Sequence, residues 1–145
     1  MVRDRLQALG LDSRPMVTGG KGVHVVVALE PRAEWPEIKA WARAFAESIA
    51  AADPANFVAT MSKAKRTGRI FIDWLRNQRG ATAVLPYSAR SRDNAPVAVP
   101  IAWGELAGMK DAHPFTIRDA GRLLTSARGK GLSGWGFADQ VLTDL

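Results

Sequence analysis

A chain of 145 residues, 47% hydrophobic and 23% charged, has the size and composition of a globular domain with one core. It holds no apolar run near the roughly 18 residues of a membrane span, no secretion-signal stretch after Met1, and no cysteine for disulfides or thiolate zinc sites, so a cytoplasmic protein without a membrane partner is expected. Twenty Lys and Arg against fourteen Asp and Glu give +6, a bias toward a polyanionic partner.

Residues 2–10 read as a helix with Val2, Leu6 and Leu9 on one face and Gly10 as its stop, and it starts without an N-cap. Residues 12–16 read as extended. Val17-Thr18-Gly19-Gly20-Lys21-Gly22 is a glycine-rich loop, and Val23–Leu29, rich in β-branched residues, is predicted to be a buried strand. Trp35–Ala52 carries Ile38, Trp41, Ala42, Phe45 and Ile49 at the spacing of one helical face. Pro36 suits its first turn, and Asp53-Pro54 ends it. Phe57–Met61 is short and extended, and Ser62–Gly68 is a polar turn. Arg69–Leu75 alternates like a strand, which puts Asp73 on that strand. A second strand-like run, Gly80–Tyr87, is interrupted by Pro86. Asp93-Asn94-Ala95-Pro96 is a turn, Val97–Ile101 a strand, and Trp103–Leu106 one helical turn. Thr116 and Asp119 have the spacing of a capping box for a helix over 117–126. Residues 127–145, rich in glycine, read as a tail following a domain of residues 1–126.

The positive charge is concentrated. Residues 62–92 hold Lys63, Lys65, Arg66, Arg69, Arg76, Arg79, Arg90 and Arg92 against a single acid, Asp73, while the rest of the chain has twelve basic and thirteen acidic residues. Apolar stretches interrupt the run, which fits a folded basic surface better than a floppy tail.

Five features could carry chemistry. The Gly19–Gly22 loop could cradle phosphates through its amides and Lys21, or be a tight turn; it lacks the phosphate-loop pattern. His24 is a half-buried structural histidine or a donor beside a bound anion. Asp73 pairs with Arg66 or Arg69, or serves as a metal ligand in phosphoryl transfer. Arg90 and Arg92, at alternate positions, could grip phosphates together. Tyr87, Trp74 and Phe71 are core aromatics or surfaces on which bases stack.

Taken in order, Thr18-Gly-Gly-Lys-Gly-Val-His24, Met61-Ser-Lys-Ala-Lys-Arg66, Gly68-Arg-Ile-Phe-Ile-Asp-Trp-Leu-Arg-Asn77, Arg79-Gly-Ala-Thr-Ala-Val-Leu-Pro-Tyr-Ser-Ala-Arg90 and Val97-Ala-Val-Pro-Ile-Ala-Trp-Gly-Glu-Leu106 resemble the polymerase domain of bacterial DNA ligase D, within the archaeo-eukaryotic primase superfamily. The resemblance covers residues 1 to about 126. It implies an α/β (α+β) fold with a mixed, mostly antiparallel sheet and helices 2–10 and 35–52 on one face. It also implies a nucleotidyltransferase of non-homologous end joining that binds DNA ends and nucleoside triphosphates with Mn²⁺ or Mg²⁺. By position, Thr18, Lys21 and Arg90 would contact the triphosphate, with His24 beside it. Asp73 would be a metal-binding carboxylate. Lys63, Lys65, Arg66, Arg76, Asn77 and Arg92 would face nucleic acid.

The family's Asp-x-Asp metal pair precedes the helix that opens this chain. The expectation is therefore the C-terminal half of a primase–polymerase core, lacking two of three metal-binding carboxylates and incomplete for catalysis alone. Its partner would be a separate N-terminal half or a DNA ligase, and an exposed sheet edge would favour self-association. The alternatives are a non-catalytic binding or assembly module and an inert remnant.

Overall fold

The computed structural model describes the backbone of residues 1–145 and every side chain except that of Lys130. The chain forms two compact units. One comprises Met1–Leu11, Glu30–Ala83 and Val141–Leu145; the other comprises Asp12–Leu29 and Val84–Gln140.

In the first unit, α1 is Val2–Ala8 and α2 is Trp35–Ala52, the span that the periodicity predicts. Gly10 follows α1 at φ +74°, the left-handed conformation that ends helices. Phe45, Ala46 and Ile49 are the buried face of α2, and Trp41 stacks on Phe45 with ring centroids 5.2 Å apart. The Trp41 indole N–H donates to the Thr143 carbonyl at 2.6 Å, and the Thr143 hydroxyl donates to the Leu9 carbonyl at 3.0 Å. Helix α2 packs on β3, Phe57–Val58, which pairs in parallel with β4, Ile70–Phe71.

The strand expected over 69–75 is thus only two residues long. The ladder's last bond is the Ile72 amide to the Val58 carbonyl at 2.9 Å; the next acceptor in register, the Thr60 carbonyl, accepts the Arg66 guanidinium at 3.3 Å, and the Trp74 indole N–H donates to the Ala59 carbonyl at 3.0 Å. Asp73 therefore lies outside the strand, in the turn that follows. The segment between β3 and β4 contains a 3-10 turn, Lys63–Arg66.

In the second unit, β1, Arg14–Val17, is the centre of a three-stranded antiparallel sheet. It lies between β2, Val23–Val26, and β5, Val99–Pro100, with Met16 opposite both His24 and Pro100. The strand predicted as buried is an edge strand, and His24, Val25 and Val26 are only half-buried. The mixed, mainly antiparallel character is as expected, but it is distributed over two sheets rather than one.

No strand forms over 80–87. Leu85-Pro86-Tyr87-Ser88 is a turn closed by the Ser88 amide donating to the Leu85 carbonyl at 3.2 Å, with Pro86 at its second position. A short antiparallel ladder follows, centred on Ala89 opposite Val97. Helix α3, Trp103–Leu106, is docked by the Trp103 indole donating to the Ser13 carbonyl at 2.7 Å.

The capping pair works as the spacing predicts, although the helix opens with a 3-10 turn, Ile117–Asp119, before α4, Ala120–Ala127. The Thr116 amide donates to Asp119 Oδ2 at 2.8 Å, and the Arg118 amide donates to Thr116 Oγ1 at 3.3 Å. Val17, Val97, Val99, Ile101 and Leu123 form the buried core of this unit, with Leu106, Met109 and Phe115 packed against it. The glycine-rich end is tied down here by Gln140, whose amide accepts from the Asp12 N–H and donates to the Asp12 carbonyl.

Two outcomes test this packing. Ile49→Ala should lower unfolding free energy by about 2–5 kcal/mol in denaturant titration, because a fully buried side chain leaves a cavity. Asp119 is held below the ordinary carboxylate pKa chiefly by the Thr116 amide, with the Thr116 hydroxyl and Arg122 adding to it. A depressed pKa contributes stability above the unfolded value and loses it as pH falls through the folded one. Asp119→Ala should therefore be less stable than wild type at neutral pH, and the gap should close in acid, as read by thermal unfolding across pH.

Candidate functional site

The loop between β1 and β2 is organised by Thr18, which is 7% exposed. Its amide and its hydroxyl both donate to the Gly22 carbonyl, at 3.2 and 2.7 Å, and its hydroxyl oxygen accepts from the Gly20 amide at 3.2 Å. The Gly19 amide donates to the Ala112 carbonyl at 3.1 Å. Three consecutive amides are therefore spent inside the protein. The amide cradle expected for phosphates does not exist at Thr18, Gly19 and Gly20, and Thr18 has no hydroxyl proton to spare. What the loop presents to solvent is Lys21.

Gly19 sits at φ +62°, and a Cβ there would lie 3.0 Å from the Val97 carbonyl carbon and 3.1 Å from Arg90 Cγ. The absence of that Cβ lets the loop close on the 89–97 ladder. The Arg90 amide donates to the Pro96 carbonyl at 2.7 Å, and its guanidinium donates to the Thr18 carbonyl at 3.4 Å. Arg92 lies against the same loop. Its Cζ and Nη2 are both 3.9 Å from where a Gly20 Cβ would be. Arg90 and Arg92, expected to act together, thus meet the Thr18–Gly20 loop, although a turn follows Arg90 where an extended chain was expected. His24 is the second residue of the flanking edge strand and is half-buried.

The other expected residues belong to the first unit. Lys63 and Lys65 are exposed on the 3-10 turn. Arg66 lies flat on Phe71, 3.7 Å from the ring centroid, and donates to the carbonyls of Thr60 at 3.3 Å and Met61 at 2.8 Å. Arg76 donates to the Thr82 carbonyl at 3.0 Å, and Asn77 to the Trp74 carbonyl at 3.0 Å. Arg69, which motif reasoning left out of the site, is anchored in the same way on the Pro54 carbonyl at 3.4 Å. Its signal in the sequence was its place in the charge window.

Asp73 is exposed, and its Oδ1 accepts the Leu75 amide at 3.1 Å. It pairs with neither Arg66 nor Arg69, so the ion-pair expectation is corrected: leaving the strand turned its carboxylate to the local backbone. Among the described residues, no ion pair involves any of the eight cations of residues 62–92. Four of these arginines are held by neutral main-chain carbonyls instead. A carbonyl orients a guanidinium without cancelling its charge, so donors and charge both remain for an anion.

Comparison with known proteins agrees with this chemistry. Residues 1–130 match the family described as LigD, primase-polymerase domain. The chain is 39% identical over 124 residues to a multifunctional non-homologous end joining protein LigD of Pseudomonas aeruginosa, covering 86% of this chain and 15% of that protein. It is 36% identical over 112 residues to the LigD protein of Mycolicibacterium smegmatis, covering 77% of this chain and 15% of that one. A solved polymerase domain from Mycobacterium tuberculosis ligase D in complex with DNA superimposes with a TM-score of 0.79 at 31% identity, over 90% of this chain and 44% of that chain. The chain thus spans about 15% of the length of these curated relatives.

If Thr18 organises the loop, Thr18→Val should cost about 1–3 kcal/mol in chemical denaturation, since it leaves the buried Gly20 amide without its acceptor. Thr18→Ser, which keeps both bonds, should recover most of that loss. Equal stability of Thr18→Val and wild type would remove the organising role.

Proposed function

The chain belongs to the LigD primase-polymerase family, and from that premise we propose that it binds nucleotide phosphates and DNA ends for non-homologous end joining. The observation that carries the reading is the set of eight cations without a carboxylate partner among the described residues. Lys21, Arg90 and Arg92 are the contacts proposed for a nucleoside triphosphate, with His24 beside them. Thr18 acts as a positioning residue through the loop. Lys63, Lys65, Arg66, Arg76 and Asn77 are the contacts proposed for the DNA backbone. Lysines supply point charge, and the anchored arginines supply forked donors at fixed orientation.

In nucleotidyl transfer, which the resemblance to LigD polymerase domains implies, these residues would bind and orient phosphates. A bound Mn²⁺ or Mg²⁺ would offset phosphate charge in that reaction. Such an ion takes several oxygen ligands. No three His, Cys, Asp or Glu side chains converge among the described residues, and Asp73 offers a single carboxylate turned to its own turn. These side chains do not by themselves fit a metal centre, and no step is drawn through one. No helix is long and apolar enough to cross a membrane among the described residues, which is compatible with the cytoplasmic setting proposed for work on DNA.

Titration with 5′-phosphorylated DNA and with ATP should give binding that weakens steeply as salt rises, because each neutralised phosphate releases counterions. Lys21→Ala or Arg90→Ala should weaken ATP binding about tenfold or more, the worth of a charge-assisted hydrogen bond. Lys63→Ala should lower the salt slope for DNA by about one and leave ATP affinity unchanged. Salt-independent binding, or wild-type ATP affinity in both loop variants, would overturn the assignment.

A further inference from the structure

Tyr87 adopts φ +61°, a left-handed conformation that a bulky side chain rarely takes. Two residues there oppose one. The Tyr87 amide donates to the Ala98 carbonyl at 2.7 Å, and the Ala98 amide donates back to the Ser88 carbonyl at 3.0 Å. This is a β-bulge whose first residue is left-handed, entered from the turn with Pro86 at its second position. Glycine is the residue both features favour at that place. The chain instead holds a tyrosine there, against a left-handed penalty of about 1–2 kcal/mol.

The ring is only partly buried. It is 44% exposed, and among the described residues its hydroxyl has no hydrogen-bond partner and its ring meets no other ring or cation. A phenol is neutral near pH 7, and partial burial raises its pKa further, so the side chain does not repel phosphate. The bulge leads through the Ala89–Val97 ladder to Arg90, three residues on, a reach of at most about 10 Å. That reach is comparable to the distance from phosphate to base in one nucleotide.

We propose that Tyr87 is a nucleobase-stacking residue for the nucleotide whose phosphates lie at Lys21 and Arg90. The bulge turns the ring outward at the end of the ladder that carries Arg90, and strain is retained because the ring is used in binding. The ring supplies a sequence-tolerant stacking face, as aromatic residues do for single bases. The inference rests on the phosphate assignment above, so its test separates the two.

Binding of ATP and of inorganic tripolyphosphate is measured by calorimetry for wild type, Tyr87→Phe and Tyr87→Gly, with thermal unfolding of each. Tyr87→Gly relieves the left-handed strain and should raise the melting temperature. It should weaken ATP about tenfold and leave tripolyphosphate unchanged. Tyr87→Phe keeps the ring and should bind both ligands like wild type. Equal ATP affinity of Tyr87→Gly and wild type overturns the stacking role alone. A lowered melting temperature in Tyr87→Gly overturns it too, since the ring would then be part of the packing. Wild-type protein that binds neither ligand overturns the phosphate assignment and the stacking role together.

Discussion

The close approach at Gly19 governs the arrangement of the second unit. With a Cβ barred by the Val97 and Pro96 backbone, the β1–β2 loop closes directly onto the 89–97 ladder. Thr18 then fixes the loop from within by two bonds to a single carbonyl, that of Gly22. The freed Thr18 carbonyl becomes an anchor for Arg90, which is 72 positions away in the chain. One glycine and one threonine thus give Arg90 and Arg92 a loop to lie against that the sequence keeps about seventy positions away. The amides of Thr18, Gly19 and Gly20 are used in holding the loop together and in place.

The same device recurs through the basic segment of the first unit. Arg66, Arg69 and Arg76 each spend donors on carbonyls of neighbouring turns. Arg66 also rests on the Phe71 ring. Restricting a long flexible side chain in advance lowers the rotamer entropy lost when an anion arrives. Carboxylate anchors would have done the same at the expense of the field. The acids elsewhere in the chain do form ion pairs, at Glu30, Glu47 and Asp119. The unpaired state of the cationic stretch is therefore a property of that stretch and not of the whole surface.

What was legible in the sequence follows from what each element depends on. Helix α2 depends on periodicity and on Pro36 and Asp53 at its ends, all local, and its limits were read correctly. The Thr116–Asp119 pair is local too. The strands over 69–75 and 80–87 were misread because alternation states only a preference, whereas a strand needs a partner. The first ends where the Thr60 carbonyl, the next acceptor in register, takes the Arg66 guanidinium. The second gave way to the turn at Pro86 and the bulge at Tyr87, a position where glycine would have announced the feature. Asp73 followed its strand, and its expected pairing with arginine failed with it. The resemblance drew attention to the β1–β2 loop, but only the hydrogen bonds show that Thr18 is the residue that organises it.

Strain and uncompensated charge raise the free energy of the folded chain in two different ways. Tyr87 stores energy in one dihedral, locally, and glycine at the same place would release it. The cations of residues 62–92 carry charge with no carboxylate partner among the described residues, and salt partly screens that charge. If Tyr87 stacks as proposed, a nucleotide at Lys21 and Arg90 would meet both features within the second unit, its base the ring and its phosphates the charge. A bare polyanion addresses only the second. The two terms are therefore separable by ligand chemistry. A surface selected only for solubility would have needed the charge but not a left-handed tyrosine at the end of an arginine-bearing ladder.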